Sequence, residues 1–412
     1  MVSKLHDSIW KTFRCTATLV GVSCLVTPGL SARAQPISLP QFKGEVVDSN
    51  IKIGYGTAIG DVDGDGKLDI VVADKKEFAW YKNPSWKRFL IAENLTPLDN
   101  VCIAARDIDG DGKIEIAVGG QWNPGDTLNS GAVFYLVAPK DRRQKWQAIR
   151  LAHEPTVHRM RWVKISAKEY TLVVAPLHGR GNRGGQGAGV KLLAYAKPAT
   201  VTDPWKTTVV DESLHVTHNL DPCQWDPSTE SEELLFVGKE GALVLSYVKG
   251  KWKRRKLDRV KGGGEIRMGL HSSSEPFIAT IEPLHGNSLV YYRSGYDRSQ
   301  AGDVASITAR IVLDDKLNAG HAIATGDFFG NGQQQIVAGW RSPNSSKKVG
   351  VKLYYPTNKT ATSWDSLTID ENGMATEDLR AADLDGDGRL DIVAAGRSTK
   401  NLKIYWNRGG SK

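Results

Sequence analysis

Cysteine is scarce in this chain. Four occur in 412 residues, and two of them, Cys15 and Cys24, sit in an N-terminal stretch that reads as a removable leader. The other two, Cys102 and Cys223, fall in inner strands of non-adjacent repeats, which excludes a disulfide-built scaffold. Long apolar runs are absent too. The most apolar segment, Cys15 to Val26, is too short to span a bilayer, and no later stretch qualifies. Neither a Walker signature nor a Gly-x-Ser-x-Gly elbow occurs, so nucleotide chemistry and serine hydrolysis lack their usual supports. Charge of one sign is also in short supply. The formal net charge is +8, and removing the leader's four basic and one acidic residues leaves +5. Read as a scattered excess, this gives weak support for an anionic partner and little for nucleic acid.

What is present is a repeated nonapeptide. Asp61, Asp63, Asp65 and Asp69 surround Gly64 and Gly66, and the pattern returns at Asp107, Asp109, Asp111 and Glu115 and again at Asp383, Asp385, Asp387 and Asp391. A worn copy runs from Asp327 to Gln335. Carboxylates at positions 1, 3, 5 and 9, a carbonyl at 7 and glycine at 6 make a hard-cation loop suited to Ca²⁺. An EF-hand would need glutamate at position 12, where this chain has Val72, Val118 or Ala394. Short β-type apolar runs follow each loop, so these are expected to be β-hairpin calcium loops of structural role, with the worn copy unable to bind.

The leader comprises residues 1–34, with Lys4 and Lys11 before the apolar core and Ala32-Arg33-Ala34 as a cleavage site. Gly21 occupies the place where a lipoprotein signal wants a large aliphatic residue, so a secreted or periplasmic protein is expected. Residues 35–412 would ordinarily suggest two or three domains. Their repeats instead predict one all-β domain, a seven-bladed β-propeller of four-stranded antiparallel blades. Inner strands are expected to start near Tyr55, Val101, Val157, Thr217, Glu265, His321 and Glu377. Outer strands begin with an aromatic residue (Trp86, Trp146, Trp205, Trp252, Trp364), with 306–315 a variant lacking it. The seventh outer strand is missing at the C-terminus and reappears as Phe42 to Asp48, so the N-terminal strand is expected to close the ring.

Polar residues at the inner-strand starts would line the tunnel. Counting along the repeats brings His158, His218, Glu265, His321 and Glu377 to one tier, with Tyr55 in blade 1. Buried ionisable groups need partners. Imidazoles with carboxylates suit either a second divalent metal or a general base beside a charge stabiliser, and spacing does not choose between them. A second tier of His178, His285 and Arg341 suits carboxylates or sugar hydroxyls at a funnel mouth, although solvated rim residues would look the same. Residues 178–189 hold six glycines and no helix follows, so they predict a rim loop that offers backbone, Arg180 and Arg183 to a substrate. No organic cofactor is expected.

The Asp-rich loops, each followed by a buried strand, resemble FG-GAP (VCBS) repeats of β-propellers. More narrowly, Pro176-Leu-His-Gly-Arg-Gly-Asn182, the run Val190 to Tyr195 and Leu214-His-Val-Thr-His-Asn219 resemble the propeller of aldos-2-ulose dehydratases. They are also similar to secreted propeller polysaccharide lyases that cut rhamnosyl-glucuronate linkages. The dehydratases carry cupin-type domains as well, whereas the repeats here run through blade seven, so the isomerase part of their activity is not expected. The resemblance implies a carbon–oxygen lyase performing β-elimination on a keto-sugar or an anionic, uronate-containing polysaccharide. It implies His158 and His218 as base or metal ligands, Arg341 or Arg267 as charge stabiliser and Tyr55 as acid. His178, Arg180, Arg183, His285 and Asn219 would contact the carbohydrate. The alternative is a non-catalytic FG-GAP propeller that binds carbohydrate or protein, as in adhesion receptors.

Overall fold

The computed structural model describes residues 38–297 and 304–410, and the expected leader, 1–34, lies outside the described residues. Seven four-stranded antiparallel sheets are arranged as a seven-bladed propeller. The inner strands are β2 (Gly56–Gly60), β6 (Cys102–Arg106), β10 (Val157–Lys164), β14 (Thr217–Cys223), β18 (Glu265–Leu270), β22 (Gly320–Gly326) and β26 (Thr376–Ala382). Each is within one residue of its expected start. Blades 1 to 6 are simple meanders. The last is composite, with β1 (Pro40–Asp48) pairing antiparallel to β28 (Asn401–Gly410). Trp406 Nε1 donates to Glu45 at 2.7 Å, and Tyr81 of blade 1 donates to Asp48 at 2.7 Å, so the closing strand is tied on both sides.

The aromatic repeated at six of the seven outer strands has a packing cause. The apolar residues form seven clusters, each sandwiched between neighbouring blades. Trp146 plugs the cluster between blades 1 and 2, Trp205 that between 2 and 3, and Trp364 that between 5 and 6. Phe42 does the same from β1 between blades 6 and 7. A wedge-shaped gap between twisted sheets widens outward, and a large ring fills it where a smaller side chain would leave a void. Cys102 and Cys223 are buried free thiols in separate blades.

The basic excess is not scattered. Eight Lys or Arg residues fall between 249 and 261, mostly on β17 (Lys251–Lys256), the outer strand of blade 4. Alternation makes a half-buried strand, but here both faces carry cations, because the partner face is the propeller's rim and open to water.

Candidate functional site

The Asp-rich loops join inner to second strands in blades 1, 2 and 7, and the worn copy does so in blade 6. Glycines at positions 4 and 6 take positive φ, Gly64 and Gly66 both at 81°, and apart from Gly64, which the flexible Lys113 side chain approaches, they have open space where a Cβ would stand. Their requirement is therefore conformational rather than steric. Carboxylates at positions 1, 3 and 9 converge in three groups, Asp61–Asp63–Asp69, Asp107–Asp109–Glu115 and Asp383–Asp385–Asp391, each with one oxygen per residue within 4.8 Å of the others. Position 5 differs from expectation. Asp65 pairs with Lys82 at 2.6 Å, Asp111 with Lys113 at 2.7 Å, and Asp387 with Arg389. Lys82 also contacts Asp63, so in the first loop one lysine bridges position 5 to the converging set.

Position 9 does a second job. Asp69 is fully buried and accepts from Val62 N and Asn83 N, both at 2.9 Å. Asp391 repeats this with Leu384 N and Asn407 N, and Glu115 accepts from Ile108 N. Burial pushes all three carboxyls up, Asp69 and Asp391 to about 6 and Glu115 to about 7. In the worn loop Gln335 accepts from Phe328 N at 2.7 Å, so an amide preserves the turn without the charge.

At the tunnel's other end the inner strands begin with a device the repeats concealed. In blades 3, 4, 6 and 7 the pairing slips by one residue at His158, His218, His321 and Glu377, because each sits at a β-bulge. A bulge leaves its extra residue unpaired and re-aims its side chain, here toward the axis. Blade 5 pairs without a slip at Glu265.

Three imidazoles come together there. One nitrogen each from His218, His285 and His321 lies within 4.8 Å of the others. His218 Nδ1 faces the Gly264 carbonyl at 2.7 Å and Glu265 Oε1 at 3.3 Å, while His321 Nδ1 faces the Glu377 carbonyl at 2.5 Å. Acceptors at Nδ1 fix the proton on that nitrogen, which leaves each Nε2 lone pair directed inward. His285 Nε2 makes a close contact with His218 Nε2. His158 packs beside this trio, its ring centroid 4.6 Å from that of His218, and stacks on Trp122 at 4.8 Å. Both of its buried ring nitrogens lack hydrogen-bond partners among the described residues. Loss of solvent holds all four imidazoles below the ordinary histidine value, with neighbouring arginines adding to it.

The expected metal set is therefore rearranged. Of its five members only His218 and His321 join the trio, and His285, expected on the rim, supplies the third nitrogen. Glu377 instead accepts from Arg341 at 2.8 and 3.0 Å and from Arg397 at 2.9 Å, so two guanidiniums occupy it. Glu265 Oε2 contacts the Asn219 amide, and its other oxygen backs His218, making it a support for the trio. Asn219 is buried under this contact and does not reach the mouth. Arg267 lies deeper, 3.6 Å from Asp221 and donating to its own Ile266 carbonyl at 2.6 Å. Tyr55 stands across the tier beneath Arg397, 3.3 Å from Asp99, and burial pushes its hydroxyl up to about 12.

The glycine-rich loop forms a rim. His178 and Arg183 line a groove of about 310 Å³ together with Pro124 to Leu128, a segment that follows Trp122 almost directly. Arg180 is turned away and held by Glu154 and the Leu128 carbonyl, both at 3.1 Å. Gly179, Gly181 and Gly184 have dinucleotide-loop spacing, but the chain continues into β12 (Leu192–Ala196) rather than a helix, so no phosphate cradle forms. Trp122 was not singled out in the sequence, since a lone tryptophan after a strand resembles any core residue.

Residues 130–294 match the family described as aldos-2-ulose dehydratase, beta-propeller domain, and residues 61–118 and 327–394 match the FG-GAP-like repeat. No curated protein matches. Among solved structures, the chain is similar to one in the "Crystal Structure of Mitotic Checkpoint Complex" (TM-score 0.54, 11% identity, covering 94% of this chain and 98% of that one). It is also similar to one in the crystal structure of BBS1N in complex with ARL6DN (0.52, 12%, 90% and 97%). The Cps50 (Swd1) beta-propeller domain of Myceliophteria thermophila gives 0.50 at 10% identity, covering 88% and 99%. Identities this low establish shared architecture and nothing of activity. The chain is a seven-bladed β-propeller related to FG-GAP and aldos-2-ulose dehydratase-type propellers.

Proposed function

We propose that this protein is a carbohydrate lyase that performs β-elimination at the histidine end of its tunnel. The observation that carries the reading is the convergence of His218, His285 and His321, with two of the three rings locked through Nδ1. Three imidazoles suit a transition-metal ion better than calcium. When bound, such an ion supplies Lewis acidity toward a sugar carboxylate or carbonyl. The match of residues 130–294 to the dehydratase propeller supports the same chemistry.

His158 is assigned as the base. Its depressed pKa keeps it neutral, the form that accepts a proton, and no protein partner competes for its nitrogens. It takes the proton alpha to the carboxylate or carbonyl, the freed electron pair forms the carbon–carbon double bond, and the β carbon–oxygen bond breaks. The leaving oxygen then takes up a proton, either the one now on His158 or one from water. Arg341 uses one nitrogen on Glu377 and has the rest of its fork for a substrate carboxylate. The groove beside Trp122 would seat the flanking sugar. Calcium in the Asp-rich loops is structural, and secretion or periplasmic export follows from the leader.

The test is a panel of uronate polysaccharides and keto-sugars read by ultraviolet absorbance of the unsaturated product, with bound metal measured in parallel. H158A should lose about 10²- to 10⁴-fold in turnover while retaining metal, whereas H218A should lose both. A protein that binds glycans but releases no unsaturated product across the panel is a binding propeller, a reading that the rim groove alone would satisfy.

A further inference from the structure

The tunnel has a second polar centre at the end away from the histidines. Arg161, Asp221 and Arg380 each stand three residues downstream of a bulge residue (His158, His218 and Glu377), roughly 10 Å further along their strands. Together with Arg106, Glu232 and Trp162 they line a cavity of about 400 Å³ to which blades 1, 2, 3, 4 and 7 all contribute. That volume lies within the ordinary range for small-ligand sites.

The charges around it do not balance. Arg106 is bidentate to Glu232 at 2.8 and 2.9 Å, and Arg380 pairs with Asp378 at 2.8 Å. Asp221 faces Arg267 at 3.6 Å. Arg161 makes a 2.8 Å hydrogen bond to its own Met160 carbonyl and no ion pair with any carboxylate among the described residues. Burial, with repulsion from Arg380 and Arg267 and only partial relief from Asp378 and Asp221, pulls its pKa down to about 9. An arginine does not surrender its proton at physiological pH, so the cost of a guanidinium that no carboxylate contacts directly falls on the fold.

We propose that this cavity binds a small oxyanion, a carboxylate, sulfate or phosphate group, on the free fork of Arg161 with Arg380 and Arg106 flanking it. Asp221 on the same wall limits the site to a single anionic group. The site is separate from the histidine centre and does not depend on the lyase reading.

The test is calorimetric titration of the full chain with sulfate, inorganic phosphate and glucuronate at constant ionic strength. At least one should bind saturably. Tighter binding of glucuronate identifies a sugar-acid site, and tighter binding of sulfate or phosphate identifies a free-oxyanion site. R161M should weaken binding at least about tenfold, the effect of losing a charge-assisted contact, while K253A, on the outer strand of blade 4, changes it less than about twofold, the scatter expected of a distant site. In anion-free buffer R161M should melt at or above the unsubstituted protein, since repulsion is relieved. R380Q should weaken binding as well. Absence of saturable binding by all three anions, unchanged affinity in R161M, or an R161M chain that melts well below the original would each overturn the proposal.

Discussion

Asp69→Asn separates the two jobs of position 9. The carboxylate is fully buried, accepts two backbone N–H bonds, and converges with Asp61 and Asp63. Its pKa near 6 stands about two units above an ordinary aspartate, so holding it ionised costs the ion-free fold about 3 kcal/mol at neutral pH. The substitution removes that cost. It also leaves one of two buried N–H groups without its acceptor, a loss of about 1–3 kcal/mol. In chelator these opposing effects nearly cancel, and the variant should melt close to the unsubstituted protein. In calcium the unsubstituted loop gains about 3 kcal/mol at a hundredfold excess over the dissociation constant, and the variant forfeits it. For a cooperative unit of this size the unfolding entropy is about 0.8 kcal/mol/K, so the calcium-dependent difference amounts to about 4 °C. Scanning calorimetry of both proteins, with calcium and with EDTA, gives the comparison. Equal destabilisation in the two buffers would show that the carboxylate is only a turn-former and would refute the cation role.

Three further outcomes are expected. Deleting residues 38–48 should expose the edge of β28 and produce aggregation on size-exclusion chromatography, and a soluble monomer with an unchanged melt would disprove closure by β1. Glu265→Gln weakens the acceptor behind His218 and should lower transition-metal affinity about 10- to 100-fold without loss of fold, measured by competition with a chromophoric chelator. Arg341→Ala should raise KM for uronates well above that for neutral keto-sugars, with little change in melting because Arg397 still holds Glu377. Equal effects on both substrate classes would remove Arg341 from carboxylate recognition.

Propeller architecture was legible because its signals repeat. Six outer strands with a leading aromatic and a seventh without one, together with loops of fixed glycine offsets, reinforce one another even where a single copy is worn. The tunnel tier was legible only in part. His158, His218, His321 and Glu377 occur at one repeat position, but four bulges decide where they point, and a one-residue slip leaves no trace in composition. Glu265 looked equivalent and is not, because its blade pairs without the slip. His285 looked like a rim residue since it lies beyond the second strand, yet its ring returns to the axis. Arg161 gave no signal at all. An unpaired charge is a property of what fails to surround it, and sequence does not record that.

Closure of the last blade by β1 also sets the order in which the ring can be completed. During synthesis β1 emerges first, and its partner β28 is the last strand made, so the first strand must wait unpaired while six blades form. Those meanders are local, but the final pairing joins segments more than 350 residues apart, a slow search in which loop closure precedes any reward. Until that pairing forms, β28 presents an open strand edge, and the nearly finished ring is at its most vulnerable to a second copy offering its own β1.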